Sequence, residues 1–202
     1  MPLAQAGDLA WKLAQASGMG VIGTGANAFM RTALVETLVQ STGSLRVLIT
    51  RNELNRIFEG DLDESLQEDL VPQLQVYELL EEVIEHLEAE LDLAAFLGEA
   101  ERANPDLASR ASGERPATLW ICTPGQDHDV VYPLVVRGPD HRLTAVMFGD
   151  WPHGSTFTLE SDGSAVQLTR PDGMTLTIET RTAAEAIAAL RTYAATTKGN
   201  RS

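Results

Sequence analysis

Met19-Gly20-Val21-Ile22-Gly23-Thr24-Gly25-Ala26-Asn27-Ala28-Phe29-Met30-Arg31-Thr32-Ala33-Leu34 is the stretch whose reading decides the fold. Met19 to Gly23 has the apolar texture of a short buried strand, and Thr24 to Asn27 reads as a turn. From Ala28 the apolar period changes to that of a helix: Met30, Leu34 and Leu38 recur every four residues, with Ala28, Val35 and Val39 beside them. Gly43 closes that helix. A second apolar strand, Leu45 to Ile49, follows, and then a short helix from Arg51 to Phe58. Strands alternating with helices predict a parallel sheet covered by helices on both faces.

The same pattern extends in both directions. Leu9, Leu13 and Ala16 place a helix over Leu3 to Ala16, ended by Ser17-Gly18. Glu59 to Glu64 reads as a polar connection, and Leu74 to Tyr77 as a brief extended segment. The longest predicted helix runs from Glu78 to Ala100. Its apolar stripe is Leu80, Ile84, Leu87, Leu91 and Ala94, with Glu78, Glu81, Glu82, Glu85 and Glu88 on the other side. Residues 103–116 read as a loop. Thr118 to Cys122 is an uninterrupted apolar strand of the kind buried on both faces. Tyr132 to Val136 fits either a strand or a short helix, and Leu143 to Phe148 is a strand ending at Gly149. Ser155 to Glu160, Ala165 to Thr169 and Met174 to Glu179 then alternate in period two. The turn signals Asp162-Gly163 and Pro171-Asp172-Gly173 separate them. That is a three-stranded meander over 155–180, expected at an edge of the sheet or as an appendage to it. A helix from Ala183 to Ala195 and a tail over 196–202 complete a single domain over 1–202.

The 202 residues are 44% apolar and 22% charged, which fits one globular domain and excludes wholesale disorder. No apolar run is long enough to span a membrane. Met1 to Asp8 lacks the basic start and apolar core of a signal peptide. One cysteine, Cys122, allows no internal disulfide, so a reducing, cytoplasmic setting is expected. The net charge of −14 is concentrated: residues 51–100 hold 15 Asp/Glu against Arg51 and Arg56. A surface of that sign repels phosphate backbones, so direct nucleic-acid binding is not expected. Two readings of it stay open, a solvated helix face and a docking face for a protein partner through Glu81, Glu85 and Glu88.

The chemistry turns on the loop after the first strand. Gly20-Val21-Ile22-Gly23-Thr24-Gly25-Ala26-Asn27 matches both glycines of the phosphate-loop pattern G-x-x-x-x-G-K-[ST]. Glycines there let backbone N–H groups face an anion at a helix amino end. Ala26 stands where the lysine belongs, and Asn27 where the magnesium-holding hydroxyl belongs. The acid expected after a central apolar strand is also absent, since Thr123-Pro124 follows Cys122. Two catalytic elements missing together make the loop a degenerate one. Gly23-Thr24-Gly25-Ala26-Asn27-Ala28 fits the dinucleotide pattern as well, but Thr50-Arg51-Asn52 stands where its ribose-binding acid belongs. A merely structural strand–turn–helix is the third reading.

Gly20 to Leu38, the strand at 118–122, and Leu143 to Gly163 with its Gly149-Asp150-Trp151-Pro152-His153-Gly154 corner resemble a family. It is the degenerate P-loop domain of multidomain bacterial regulators, which accompanies transmembrane, LysM-type or bacterial transcriptional-activator domains. Phe29 to Leu34, with the loop before it, also resembles a worn FtsK-type motor P-loop. The resemblance implies a P-loop-like three-layer sandwich with a mainly parallel sheet and a short C-terminal meander. It also implies that the chain is a domain of something longer.

No other constellation points to an enzyme. Cys122 reads as core. His86 reads as a surface residue among glutamates. His128, His141 and His153 match no metal-ligand spacing. The pairs Glu78/Glu82 and Glu81/Glu85 read as solvated carboxylates. The expected function is therefore a non-catalytic regulatory or scaffolding domain, without cofactor or metal. It would act through a protein partner or neighbouring domains of the same chain. The alternative is a nucleotide sensor or weak NTPase that uses Gly20, Gly23, Thr24, Gly25, Ala26 and Asn27 with a cation borrowed from elsewhere.

Overall fold

A computed structural model describes residues 6–14, 17–40, 45–103, 116–138, 140, 142–162, 165–170 and 172–199. The chain order is α1 (Ala6–Leu13), β1 (Met19–Ile22), α2 (Ala26–Gln40), β2 (Leu45–Thr50), α3 (Arg51–Phe58), α4 (Glu64–Asp69) and β3 (Leu74–Tyr77). It continues with α5 (Leu80–Ala103), β4 (Ala117–Cys122), α6 (His128–Arg137), β5 (Leu143–Phe148), β6 (Ser155–Ser161), β7 (Ala165–Thr169), β8 (Thr175–Glu179) and α7 (Ala183–Gly199). Gly43, the loop at 104–115 and the turn residues Gly163 and Pro171 lie outside the described residues.

Among the described residues, eight strands form one mixed sheet in the order β3-β2-β4-β5-β1-β6-β7-β8. The pairings from β3 through β6 are parallel. β7 pairs antiparallel with both β6 and β8, so β7 alone runs against the rest. The three alternating strands are thus continuous with the main sheet, because β6 takes a parallel place beside β1, with Val21 opposite Phe157. β4 and β5 are buried along their whole length, as strands covered on both faces must be. Their side chains alternate between two cores. Leu119, Ile121, Val146 and Phe148 join the face covered by α1, α2, α3, α4 and α7. Trp120, Cys122, Ala145 and Met147 join the face covered by α5 and α6.

Local chemistry sets most boundaries. Thr50 ends β2 and caps α3, its hydroxyl accepting from the Glu53 amide. Thr182 and Glu185 form a reciprocal capping box at the start of α7. Glu82 accepts from the amides of Glu78 and Leu79, so this glutamate closes the amino end of α5 instead of pairing with Glu78. Glu78 faces Arg51 at 3.3 Å. The sequence reading misses α4. Asp63 caps it through the Leu66 amide at 2.8 Å, and Leu66 and Leu70 anchor it in the core. The ambiguous segment at 132–136 belongs to helix α6. There the burial of Val131, Leu134 and Val135 against the sheet overrides Pro133 and the β-branched composition.

α2 is the innermost helix, packed between the sheet, α1 and α7. From Phe29 to Val35 every side chain is buried, including Arg31. Burial lowers the Arg31 pKa from its ordinary value, with Glu59 and Glu185 opposing the effect. Its Nη1 donates to the Ile57 carbonyl at 2.6 Å and its Nε to the Arg181 carbonyl at 2.8 Å. One cation thereby ties α2 to the end of α3 and to the entry of α7. Glu36 accepts from the Gly7 amide at 2.6 Å, docking α1, and burial pushes its carboxyl pKa up. On α5, Glu90 receives two hydrogen bonds from the Arg46 guanidinium, whose Nε also donates to Thr118 Oγ1 at 2.8 Å.

Arg31→Met keeps much of the volume and deletes both carbonyl contacts. Removing charge-assisted hydrogen bonds to buried carbonyls predicts a loss of about 2–4 kcal/mol in urea unfolding. Arg191→Met, which loses only the exposed pair with Asp63, is expected to cost under about 1 kcal/mol.

Candidate functional site at the carboxyl edge of the sheet

Because β1, β2, β4 and β5 are parallel, the segments that leave their carboxyl ends emerge along one edge. In open α/β sheets that edge is where ligands bind. Here it carries the Gly23–Gly25 turn, the start of α3, Thr123-Pro124, and the corner Gly149–Gly154.

The turn is short and tightly packed. Gly20 lies inside β1, and only Gly23, Thr24 and Gly25 separate β1 from α2. Gly23 has φ +97°, and a Cβ there would lie 2.3 Å from the Leu159 carbonyl oxygen. A Cβ on Gly25 would lie 2.8 Å from a Val166 methyl. The Gly25 amide donates to the Leu159 carbonyl at 2.8 Å, and Thr24 Oγ1 accepts from the Ser161 amide at 3.2 Å and donates to Glu160. The glycines therefore serve the contact between this turn and β6–β7. One of the amides that would face an anion is already spent on it.

Ala26 is buried. Asn27 Oδ1 accepts from Arg56 Nε at 3.0 Å, and the Arg56 guanidinium stacks 4.0 Å from the centre of the Phe148 ring. Among the described residues Arg56 is thus the cation that reaches the loop, which the sequence reading does not foresee. Arg31 is committed to the core, and Arg51 to Gln67 and Glu78. Glu53 is also buried at this edge, with its Oε2 unpartnered. Cys122 is fully buried, and its thiol pKa is raised well above its ordinary value by burial and then by the Glu53 charge. That makes Cys122 inert core.

The acidic surface divides in two. Ion pairs occupy Glu90 (Arg46), Asp92 (Arg137), Asp63 (Arg191), Asp69 (Lys198) and Glu78 (Arg51). Glu81, Glu85 and Glu88 are exposed on α5 and have no ion-pair partner among the described residues. The fold also brings His128 and His153 together, 25 positions apart, with ring nitrogens 3.2 Å from each other. A spacing rule along the chain is blind to that. The available signal was that each histidine stands a few residues beyond the end of an apolar strand, and that β4 and β5 pair with Cys122 opposite Met147. His141 lies outside the described residues, and His86 contacts Glu90 and the Tyr77 ring.

No helix among the described residues is long and apolar enough to cross a membrane. No protein-family model and no curated protein matches this chain.

The turn's packing makes a graded prediction. Gly23→Ala combines an unfavourable positive φ with a backbone collision and is expected to cost about 3 kcal/mol or more. Gly60→Ala, at φ +81° with nothing within 4 Å of the added Cβ, isolates the conformational cost alone, about 1–2 kcal/mol. Chemical denaturation of the two variants measures the difference.

Proposed function

We propose that this chain is a non-catalytic regulatory or scaffolding domain with a degenerate P-loop-type strand–turn–helix, acting through protein contacts. The observation that carries the reading is the donation of the Gly25 amide to the Leu159 carbonyl, in a turn where Ala26 replaces the lysine. Phosphoryl transfer needs fixed positive charge and a metal-holding acid at the transferring group. Thr123-Pro124 supplies no such acid, and Arg56 is engaged with Asn27 and Phe148. Support for protein contacts comes from α5 and α6. The uncompensated Glu81, Glu85 and Glu88 lie on the same helix as exposed Leu93 and Phe96, and Val130 and Val136 are exposed on α6, which packs beside it. Charged rims around apolar side chains are the ordinary make-up of a contact surface. A basic partner, or a neighbouring domain of a longer chain, fits that charge.

Purified protein is expected to hydrolyse neither ATP nor GTP above background, with or without magnesium. ATP, GTP, NAD and NADP are expected to leave its melting temperature unchanged. Ligand well above its dissociation constant would raise stability by roughly 3 kcal/mol, hence several degrees. Magnesium-dependent turnover would overturn the reading, and stabilisation without turnover would replace it with a nucleotide sensor.

Replacing Glu81, Glu85 and Glu88 together by lysine is expected to abolish partner capture while leaving the circular dichroism and melting temperature near wild type. Their neighbours Val83, Ile84 and Leu87 carry the packing. Equal recovery of the same partners by both proteins would reduce the acidic face to a solvated one.

A further inference from the structure

The carboxyl edge of β4 and β5 holds a second constellation, separate from the glycine turn. His128 and Asp129 open α6, and His153 lies in the β5–β6 corner. Three atoms converge there. His128 Nδ1 lies 3.2 Å from His153 Nε2, His128 Nδ1 lies 3.2 Å from Asp129 Oδ1, and His153 Nε2 lies 3.3 Å from the same Oδ1. We propose that these three atoms bind a divalent transition-metal ion of the zinc class, leaving its fourth position to water.

The triangle has the size such an ion requires. Zinc sits about 2.0–2.1 Å from imidazole nitrogen and carboxylate oxygen, and a tetrahedron of that radius has edges of about 3.3–3.4 Å. The three measured separations are one face of it, to within about 0.2 Å. Hydrogen bonding alone satisfies the three atoms poorly. If both inward ring nitrogens donate to Asp129, two positive hydrogens meet across the His128–His153 edge. If only one carries a proton, lone pairs oppose each other on a remaining edge. A cation at the centre faces three acceptors at once. Two imidazoles and one carboxylate are a donor set for zinc-class metals, not for magnesium or calcium, which take oxygen.

One of the three ligands, His153, is also held in place. The His153 ring stacks on Tyr132 at 4.2 Å and meets the Trp151 indole edge-on at 5.1 Å. Trp151 is buried, and its Nε1 donates to the Ser17 carbonyl at 2.6 Å. Gly154 leaves room for that indole: a Cβ there would lie 2.7 Å from Trp151 Cδ1. Tyr132 is four residues along α6 from His128, so it shares a helix face with the ligand whose partner it supports. Rigid support of this kind is what a metal site needs from its surroundings. The amino end of α6 contributes about half a positive charge, which the full negative charge of Asp129 outweighs. The exposure of Asp129, 79% for its side chain, leaves the open side to solvent.

The test uses the full chain, untagged and stripped with a chelator. Zinc titration by calorimetry is expected to show one ion per chain, and cobalt(II) to give the intense visible bands of a tetrahedral site. Zinc should also raise the melting temperature. His128→Ala and Asp129→Ala, both at the solvent-facing start of α6, are each expected to weaken zinc binding at least tenfold. His128→Ala/His153→Ala is expected to abolish it. His86→Ala should bind as wild type, and all variants should match wild type in circular dichroism when chelated. A wild-type chain that takes up no stoichiometric zinc, or a double variant that binds as wild type does, overturns the proposal. Neither result bears on the nucleotide experiments, which involve the other loop.

Discussion

The turn between β1 and α2 lies against β6 so closely that no side chain fits between them. That proximity governs half of the molecule. It lets β1 keep a parallel neighbour on each side, β5 and β6, and so places the strand–turn–helix in the interior of the sheet. It also fixes α2 deep enough to be enclosed by α1 and α7, where the only cation it carries inward, Arg31, must find carbonyl oxygens. Burying a guanidinium is tolerable only when its donors are matched. Here they are matched by the end of α3 and the approach to α7, so the depth of one helix sets the positions of two others.

The same closeness bears on function. A phosphate-binding turn needs unengaged amides and space above them. At this turn an amide belongs to Leu159, and the volume belongs to Val166. The strands that follow the main sheet, β6 and β7, fill the space above the turn. At the same carboxyl edge, beyond the ends of β4 and β5, histidines from two segments meet. The acidic helix α5 covers the sheet face below that corner together with α6.

Much of the architecture was legible from local pattern. The apolar run at 118–122 declared a strand covered on both sides, that at 143–148 declared a strand, and the apolar stripe of α5 declared its buried side. Arg51 to Phe58 is the helix the sequence indicates, because Thr50 and an apolar pair at Leu54 and Ile57 bound it clearly. α4 stayed hidden because six residues offer too little periodicity, and its stability comes from Asp63 and from two leucines meeting α7 and the core. The pairing of β6 with β1 was equally hidden, since alternation reveals a strand but not its neighbour. At the candidate sites the division is the same. Absent residues, such as the lysine replaced by Ala26, are readable one position at a time. Arg56 over Phe148, the buried Glu53 and the meeting of His128 with His153 are products of sheet order, and no spacing rule along the chain encodes them.

The strand order has a consequence for the sequence of events in folding. β1 ends at Ile22, yet both strands that flank it come from beyond residue 142. Until those emerge, β1 has two unsatisfied edges, and its glycine-rich exit has nothing to lie against. Contacts spanning so much chain close late and slow the search for the native state. A chain synthesised only as far as residue 140 would hold β2, β3 and β4 able to pair, with β1 lacking both of its neighbours. Until β5 and β6 are made, β1 and its glycine-rich exit are exposed to mispairing, at a segment that later becomes deeply enclosed.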